Sequence, residues 1–292
     1  MAEPNPSMPP FHASVSELSM LRWDLAEEVD HLAWHRLGAV ALWRTKLSDI
    51  GPVGARRLLE RAGIRASCLK WAGGFTGSDG RTFRESVEDA REAIDVAAEV
   101  GAGVLVVHTG CRGGHTLGHA HRLLREAFEI LVPVASARGV ALAIEPLHPS
   151  AAVGCGFMTR LSKAVEWVEA FDHPSVRIAL DLWQFGHDPS LPDLLADIVP
   201  RLALVKIADR VGAPTADRER LAPGHGEIPL DALVADLLRL GYRGDFEFEI
   251  VGEAVEATGY EHVLRQVRAA VDGWSRRVSR PAARAVSLPH PL

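Results

Sequence analysis

Three carboxylates each stand at or near the end of a short apolar run of this sequence. Glu145 closes ALAIE, Asp181 closes VRIALD, and Glu249 lies in FEFEI. Carboxylates that meet at close range repel one another, so a cation must neutralise them or their pKa values must rise. A site that gathers all three therefore predicts metal-assisted chemistry, with Glu145, Asp181 and Glu249 as the candidate ligands.

The stretch that follows Asp181 adds candidates for substrate binding. Aspartate is disfavoured in strands, so its position at the end of an apolar run needs a reason. The next helix is predicted to begin near Pro192, so capping of that helix does not supply one. Gln184 and His187 follow within the same short segment, and we expect both to reach the same site.

Lys206 lies in the apolar run LALVKI, where a charged side chain is costly to bury unless it has acidic partners. The three converging carboxylates would supply those partners. Glu247 lies two residues before Glu249 and is expected to face the same side of its strand. It is predicted to pair with a base deeper in the fold.

Further candidates stand at the ends of other apolar runs. His108 ends VLVVH and is a candidate acid–base or substrate-binding group. Trp43 ends AVALW, where an aromatic side chain could form a wall against the apolar face of a sugar. Arg210 follows LALVKIAD and is a further candidate substrate contact.

Eight apolar runs, each followed by a segment with helical periodicity, predict a single (β/α)8 TIM barrel. The runs lie in FHASVSE, AVALW, IRASCLK, GVLVVH, VALAIE, VRIALD, LALVKI and DFEFEI. An open doubly wound sheet is the alternative, and the lack of a phosphate-binding glycine motif after the first run weakens it. Catalytic groups of a barrel project from the carboxyl ends of the strands, which is where the three carboxylates fall.

The helix signals agree with this alternation. Thr82 and Glu85 form a capping-box pattern at the start of a helix that is predicted to end at Val100, before Gly101. Two connections, 146–158 and 208–228, are long and belong to the carboxyl face. Long loops in compact domains are more often functional than not.

Composition limits the class of protein. The 292 residues carry a net charge of −6, which argues against a nucleic-acid partner. Three cysteines without a paired spacing favour a reducing compartment, and no run approaches the roughly 18 apolar residues that span a bilayer. We therefore expect a cytoplasmic protein without a membrane partner. Residues 1–10 are predicted to be a disordered arm, 11–276 the barrel, and 277–292 a flexible tail.

The stretches ALWRTK, VLVVHTG, LAIEPLHP, IALDLWQFGHDP, LALVKIADR and FEFEIVGE, in this order, resemble the xylose-isomerase-like TIM-barrel family. That family includes sugar phosphate isomerases/epimerases, ketose 3-epimerases, inosose dehydratases and endonuclease IV, within the AP endonuclease family 2 superfamily. The resemblance spans about residues 11 to 272. It implies a divalent metal, commonly Mn, Mg, Co or Zn, held by Glu145, Asp181, Glu249 and a histidine on strand seven.

Two positions depart from the family pattern. Lys206 stands where the strand-seven histidine is expected, and Gln184 stands where a substrate-binding histidine often follows the aspartate. Because an ammonium cannot ligate a metal, a bound ion would have three carboxylates and water, a set that suits Mg or Mn better than Zn. Alternatively Lys206 replaces the ion, and the site is metal-free.

The resemblance implies proton abstraction next to a carbonyl. Glu145 and Glu249 would exchange a proton with carbon through an enediolate, and the metal or Lys206 would stabilise the oxyanion. The first expectation is a sugar isomerase or epimerase of carbohydrate metabolism that acts on a ketose or related keto-polyol. The alternatives are a keto-sugar or inosose dehydratase and a non-catalytic sugar-binding barrel. The expected partner is a small-molecule sugar, and the family implies a homo-oligomer.

Overall fold

A computed structural model gives the structure of residues 11–152 and 155–278. Eight parallel strands close into a barrel in the order in which they occur in the sequence. They are β1 (Ala13–Ser16), β2 (Ala39–Trp43), β3 (Arg65–Gly73), β4 (Val104–His108), β5 (Ala141–Ile144), β6 (Val176–Asp181), β7 (Leu202–Ile207) and β8 (Asp245–Phe248).

The helices surround this barrel. Within the same residues they are α1 (Leu25–Trp34), α2 (Gly51–Ala62), α3 (Phe83–Val100), α4 (Leu117–Arg138), α5 (Leu161–Phe171), α6 (Leu182–Phe185), α7 (Leu191–Ile198), α8 (Leu230–Arg239), α9 (Glu253–Thr258) and α10 (Tyr260–Val278). Short 3₁₀ turns follow β1 and β2 and precede β7. None of the helices in these two ranges is long and apolar enough to cross a lipid bilayer.

The predicted (β/α)8 barrel is confirmed. The runs AVALW, VRIALD and LALVKI coincide with β2, β6 and β7. Thr82 caps the start of helix α3 with the predicted capping box, and Gly101, which is left-handed with a φ of 77°, caps its end. The short helices α6 and α9 were not predicted. Helix α10 extends two residues into the segment predicted to be a tail, and the rest of that tail and the N-terminal arm lie outside the described residues.

The apolar core has two layers. The larger layer packs between the strands and the helices. The smaller layer consists of inward-facing residues of β2 to β7, which are mostly small: Ala41, Cys68, Val106, Ala143, Ala179 and Leu204. Small side chains leave room on the barrel axis, and two fully buried charged residues, Lys70 and Glu247, lie on the same inward side of β3 and β8. Because side chains alternate between the two faces of a strand, these charged side chains point into the barrel.

The connection after β7 is folded over the carboxyl face by one buried aspartate. Asp209 accepts hydrogen bonds from the backbone N–H groups of Gly224, Gly226 and Ile228, at 2.9 to 3.0 Å. Its backbone also pairs with Leu221 in an isolated antiparallel bridge. The long loop is thus fixed in place across the mouth of the barrel.

Candidate active site

A cavity of about 920 Å³ opens at the carboxyl end of the barrel. Its lining includes three groups predicted from the sequence to act together, Glu145, Lys206 and Glu249. The aromatic residues Trp71 and Trp183 also line it. The rest of the lining comes from the end of β4 and from the segments after β1, β5, β6, β7 and β8, so the ends of several strands and their loops contribute to one space.

The ammonium of Lys206 lies between two carboxylates. Its Nζ is 2.9 Å from Glu145 Oε1 and 3.2 Å from Glu249 Oε2. Burial alone would lower the pKa of Lys206, but the two carboxylates hold it above its ordinary value. The lysine is therefore charged at neutral pH, and the acidic partners that the sequence required for it are present.

Glu145 is held between Lys206 and His108. Although its burial favours the neutral acid, the Lys206 charge and a hydrogen bond from His108 lower its pKa to about 2. His108 Nε2 is 3.1 Å from Glu145 Oε2, and the imidazole lines the cavity.

The end of β4 is fixed by close packing against Gly73, where an added Cβ would lie 1.8 Å from the His108 carbonyl oxygen. Only glycine fits there, and its φ of 137° also disfavours other residues.

Asp181 caps a helix, contrary to the expectation from the sequence. Its Oδ1 accepts a hydrogen bond from Trp183 N at 2.9 Å and so caps α6, a four-residue helix that starts directly after β6. Its other oxygen, Oδ2, accepts a hydrogen bond from Arg220 Nη2 at 2.6 Å. The aspartate is therefore both a helix cap and the partner of a cation at the cavity.

Arg220 comes from the long loop after β7. Its backbone pairs with Val251 just beyond β8, which places the side chain beside Glu249. Arg220 Nε is 3.1 Å from Glu249 Oε1, and the guanidinium stacks 4.5 Å from the ring centre of Trp183. Its Nη1 is buried and has no hydrogen-bond partner among the described residues.

Lys70 completes the cluster from inside the barrel. Its ammonium contacts Glu247 and Glu249 and donates a hydrogen bond to Ser16 Oγ at 2.9 Å. Burial raises the pKa of Glu247, which opposes its ionisation. Despite burial, the cations around Glu249 hold its pKa well below the ordinary value. Glu247 thus pairs with a base deeper in the barrel than Glu249, as predicted.

Comparison with known proteins identifies the family. The model of the xylose isomerase-like TIM barrel family matches residues 31–273. The chain belongs to that family. The resemblance seen in the sequence is therefore confirmed over most of the barrel.

Two curated relatives cover part of this barrel. An inosose isomerase from Halalkalibacterium halodurans is 29% identical over 133 residues, which cover 44% of this chain and 44% of that protein. A probable endonuclease 4 from Streptomyces avermitilis is 32% identical over 171 residues, which cover 52% of this chain and 54% of that protein. The chain matches about half the length of each.

Solved structures share the whole barrel. Protein SMc04130 from Sinorhizobium meliloti superposes with a TM-score of 0.79 at 28% identity, over 91% of this chain and 98% of that one. The IOLI protein, solved with a zinc atom, gives 0.80 at 18% identity, over 92% and 100%. The 3-keto-D-glucoside 4-epimerase of E. coli gives 0.73 at 17% identity, over 89% and 99%. The last two likenesses show the fold alone.

The residues present do not fit the divalent ion that the family implies. All six oxygens of Glu145, Asp181 and Glu249 already contact an N–H group of the protein. A dication about 4 Å from an ammonium would be repelled by roughly 8 kcal/mol at an effective dielectric constant near 20. Within residues 11–152 and 155–278, no group of three or more His, Cys, Asp and Glu side chains is arranged to hold a metal.

The remaining predicted substrate contacts divide into two groups. Gln184 is buried, lines the cavity, and accepts a hydrogen bond from His148 N at 3.0 Å. His187, Arg210 and Trp43 are not among the lining residues. Arg210 is buried and donates hydrogen bonds to Trp183 O and Gly212 O, while His187 contacts Glu227 O at 2.8 Å. Substrate contact by these three residues stays a prediction.

Trp43 lies instead above a second buried acidic pair. The carboxylate of Glu17 accepts a hydrogen bond from Trp43 N, and Lys46 contacts Glu28. The other oxygens, Glu17 Oε1 and Glu28 Oε2, are buried without a partner among the described residues. Burial, together with the negative charge of Glu17, raises the pKa of Glu28 to about 9. We infer that the pair holds a proton at neutral pH.

This pair predicts a loss of stability at high pH. Because the pKa of Glu28 rises from 4.5 to about 9 on folding, its contribution is full below pH 4.5 and is lost as the pH rises through about 9. Glu28→Gln keeps the neutral form at every pH. Between pH 4.5 and about 9, the difference between its free energy of unfolding and that of the native protein should therefore increase by up to about 1.4 kcal/mol per pH unit. Urea unfolding at a series of pH values measures this. The exposed Glu88→Gln is the control, and parallel curves for Glu28→Gln and the native protein would refute the prediction.

Proposed function

We propose that the protein is an isomerase or epimerase of ketoses or related keto-polyols and that it moves a proton next to a carbonyl group. The observation that carries this proposal is the charged Lys206 between the carboxylates of Glu145 and Glu249, at 2.9 and 3.2 Å, in the lining of a cavity large enough for a sugar. Enolisation of a ketone requires a base and a donor to the oxyanion, and a second carboxylate can return the proton from another side.

The proposed step starts with Glu145. Its carboxylate takes the proton from the carbon beside the carbonyl, the C–H electrons form a C=C bond, and the carbonyl electrons pass to oxygen. The Lys206 ammonium donates to that oxyanion. The same ammonium lowers the pKa of Glu145. When the ammonium turns from Glu145 toward the substrate, Glu145 therefore becomes a stronger base.

Return of the proton completes the reaction. Delivery to the same carbon from the opposite side gives an epimer. Delivery to the former carbonyl carbon gives an isomer, with the proton of the neighbouring hydroxyl passing to the oxyanion so that this hydroxyl becomes the new carbonyl. Glu249 is the proposed second carboxylate for this return. It contacts three cations, Lys70, Lys206 and Arg220, so Glu145 is the better acceptor in the first step. No step is assigned to a metal ion, because the carboxylate oxygens already have partners.

The comparisons support this reaction class over the alternatives. One curated relative is an inosose isomerase, and an inosose is a keto-polyol. The other, a probable endonuclease 4, would need a surface for a phosphate backbone. The rim of the cavity instead mixes Asp217, Glu219 and Glu253 with Arg218. We therefore favour a small keto-sugar over a nucleic acid.

Exchange with solvent tests the proposal without knowledge of the product. The protein would be incubated in D₂O with an inosose, a ketohexose and a 3-keto-glucoside, and carbon-bound deuterium followed by NMR. We expect deuterium beside the carbonyl of at least one of them, with an epimer or isomer. A dehydrated product would indicate the lyase instead. Binding of these sugars without exchange would indicate a sugar-binding barrel, and either result would overturn the proposal.

A further inference from the structure

Three cationic side chains are buried in this barrel, two at its mouth and one further inside. The side chains of Lys70, Lys206 and Arg220 are 0, 2 and 14% exposed, and each contacts one or more carboxylates. Lysine and arginine are seldom buried to this degree unless they are paired. With the four carboxylates around them, Glu145, Asp181, Glu247 and Glu249, they leave one formal negative charge when all are ionised.

We propose that these three cations supply the positive charge that a divalent ion would otherwise supply, so that the protein excludes the ion and works without it. The part that concerns catalysis rests on the proposed function. The part that concerns ion exclusion rests on the geometry of the cluster alone. The two parts therefore have separate tests.

Glu249 lies at the centre of the arrangement. Lys206 Nζ approaches its Oε2 at 3.2 Å, and Arg220 Nε approaches its Oε1 at 3.1 Å. Two donors are thus held side by side, one on each oxygen of a single carboxylate. An α-hydroxy ketone has two neighbouring oxygens, and its enediolate carries negative charge across both. We assign Lys206 to one of these oxygens and Arg220 to the other.

Arg220 has a donor left for this role. Its Nε and Nη2 contact Glu249 and Asp181, while its buried Nη1 has no partner among the described residues. A buried N–H group without a hydrogen-bond acceptor costs free energy. Arg220 lines the cavity, so we assign this donor to a substrate oxygen, which can reach the buried Nη1 only when the side chain shifts on binding. Arg220 is therefore a further catalytic residue.

Lys70 acts through Glu249 and does not touch the substrate. It is absent from the cavity lining, and it holds Glu249 from the inner side together with Glu247 and Ser16. It is a positioning residue. Its ammonium occupies the side of Glu249 that faces the barrel interior, so the carboxylate is neutralised from both sides.

The first test measures ion binding with Mn²⁺ alone. The chelator-treated native protein would be titrated with MnCl₂, and free Mn²⁺ would be read by electron paramagnetic resonance. We expect no stoichiometric binding by the native protein. The double variant Lys206→His/Arg220→Met removes two cations, and we expect it to bind Mn²⁺ at least about 100-fold more tightly. The matched surface variant Lys163→His/Arg239→Met should behave as the native protein does.

The outcomes of this titration test whether the protein excludes Mn²⁺. One equivalent of Mn²⁺ bound by the native protein would overturn it, whether or not the double variant folds. A folded double variant that still binds no Mn²⁺ would overturn it as well, because the cations would not be what excludes the ion. Circular dichroism establishes folding. None of these readings depends on turnover, so a failure of the proposed function cannot be mistaken for a failure here.

The second test separates the charge of Arg220 from its free donor. Arg220→Lys keeps a positive charge but loses the planar set of N–H groups. We expect it to exclude Mn²⁺ as the native protein does, while deuterium exchange into the substrate falls at least about tenfold in kcat. Exchange at the native rate in this variant would overturn the assignment of Arg220 to a substrate oxygen. Exchange by the native protein that required added Mn²⁺ would overturn metal-free catalysis.

Discussion

Glu145→Gln is expected to lower the rate of proton exchange by a factor of about 10² to 10⁴, the range typical for loss of a positioned general base. The amide keeps the size of the side chain and can still accept a hydrogen bond from Lys206, which lies 2.9 Å from Glu145 Oε1. It cannot take a proton from carbon. The fold should persist, and the loss should appear in kcat for whichever keto-sugar the native protein exchanges with solvent.

A second readout follows from the charge of Glu145. Its pKa falls from 4.5 to about 2 on folding, so it stabilises the native protein above pH 4.5 by about 3 kcal/mol, and this is lost as the pH falls through about 2. The variant lacks that contribution, so the two free energies of unfolding should converge in acid. Glu166→Gln, at an exposed ion pair on α5, is the control. An active Glu145→Gln would remove this residue from the reaction.

The sequence predicted the barrel because its strands are continuous apolar runs of the right length. A run such as LALVKI is buried on both faces, which only a covered parallel sheet allows, and the structure places it as β7. The carboxyl-end convergence of Glu145, Asp181 and Glu249 followed from that topology and not from any local signal. Short helices were missed, because α6 has only four residues and no periodicity to read.

The cations were harder to predict than the carboxylates. Lys70 lies in the buried strand RASCLKWAG and, like Lys206, is a lysine whose burial requires acidic partners. Its partner Glu247 was identified, but the two residues are 177 positions apart in the sequence. Only the closed barrel brings them together, through the position of each strand and the direction of each side chain.

Arg220 had no such signal. It lies in a polar loop next to Arg218, and both residues look like solvent-exposed arginines in the sequence. The difference arises from the backbone bridge to Val251, which turns Arg220 toward Glu249. Backbone pairing between two irregular segments depends on the folded positions of both. The sequence therefore could not show that the loop places a guanidinium against Asp181 and Glu249, two of the expected metal ligands.

Lys206→Met should have the second large effect, on turnover and stability together. Loss of a donor that stabilises a developing oxyanion typically lowers kcat by about 10² to 10³. The substitution also leaves Glu145 buried with His108 as its remaining hydrogen-bond partner, and breaking a buried ion pair costs about 3 to 5 kcal/mol. We therefore expect a much lower rate of exchange and a lower free energy of unfolding in urea.

A double-mutant cycle separates the charge from the packing. If the cost of Lys206→Met comes from an uncompensated carboxylate, then adding Glu145→Gln should recover part of the lost stability, with a coupling energy of about 1 to 3 kcal/mol. Turnover should not recover, since both groups act on the substrate. Lys163→Met with Glu166→Gln, the same pair of changes at an exposed salt bridge, should give coupling within about 1 kcal/mol of zero. Additive losses in the free energy of unfolding would mean that Lys206 and Glu145 do not interact as an ion pair. The proposed movement of the ammonium from Glu145 to the substrate would then be wrong.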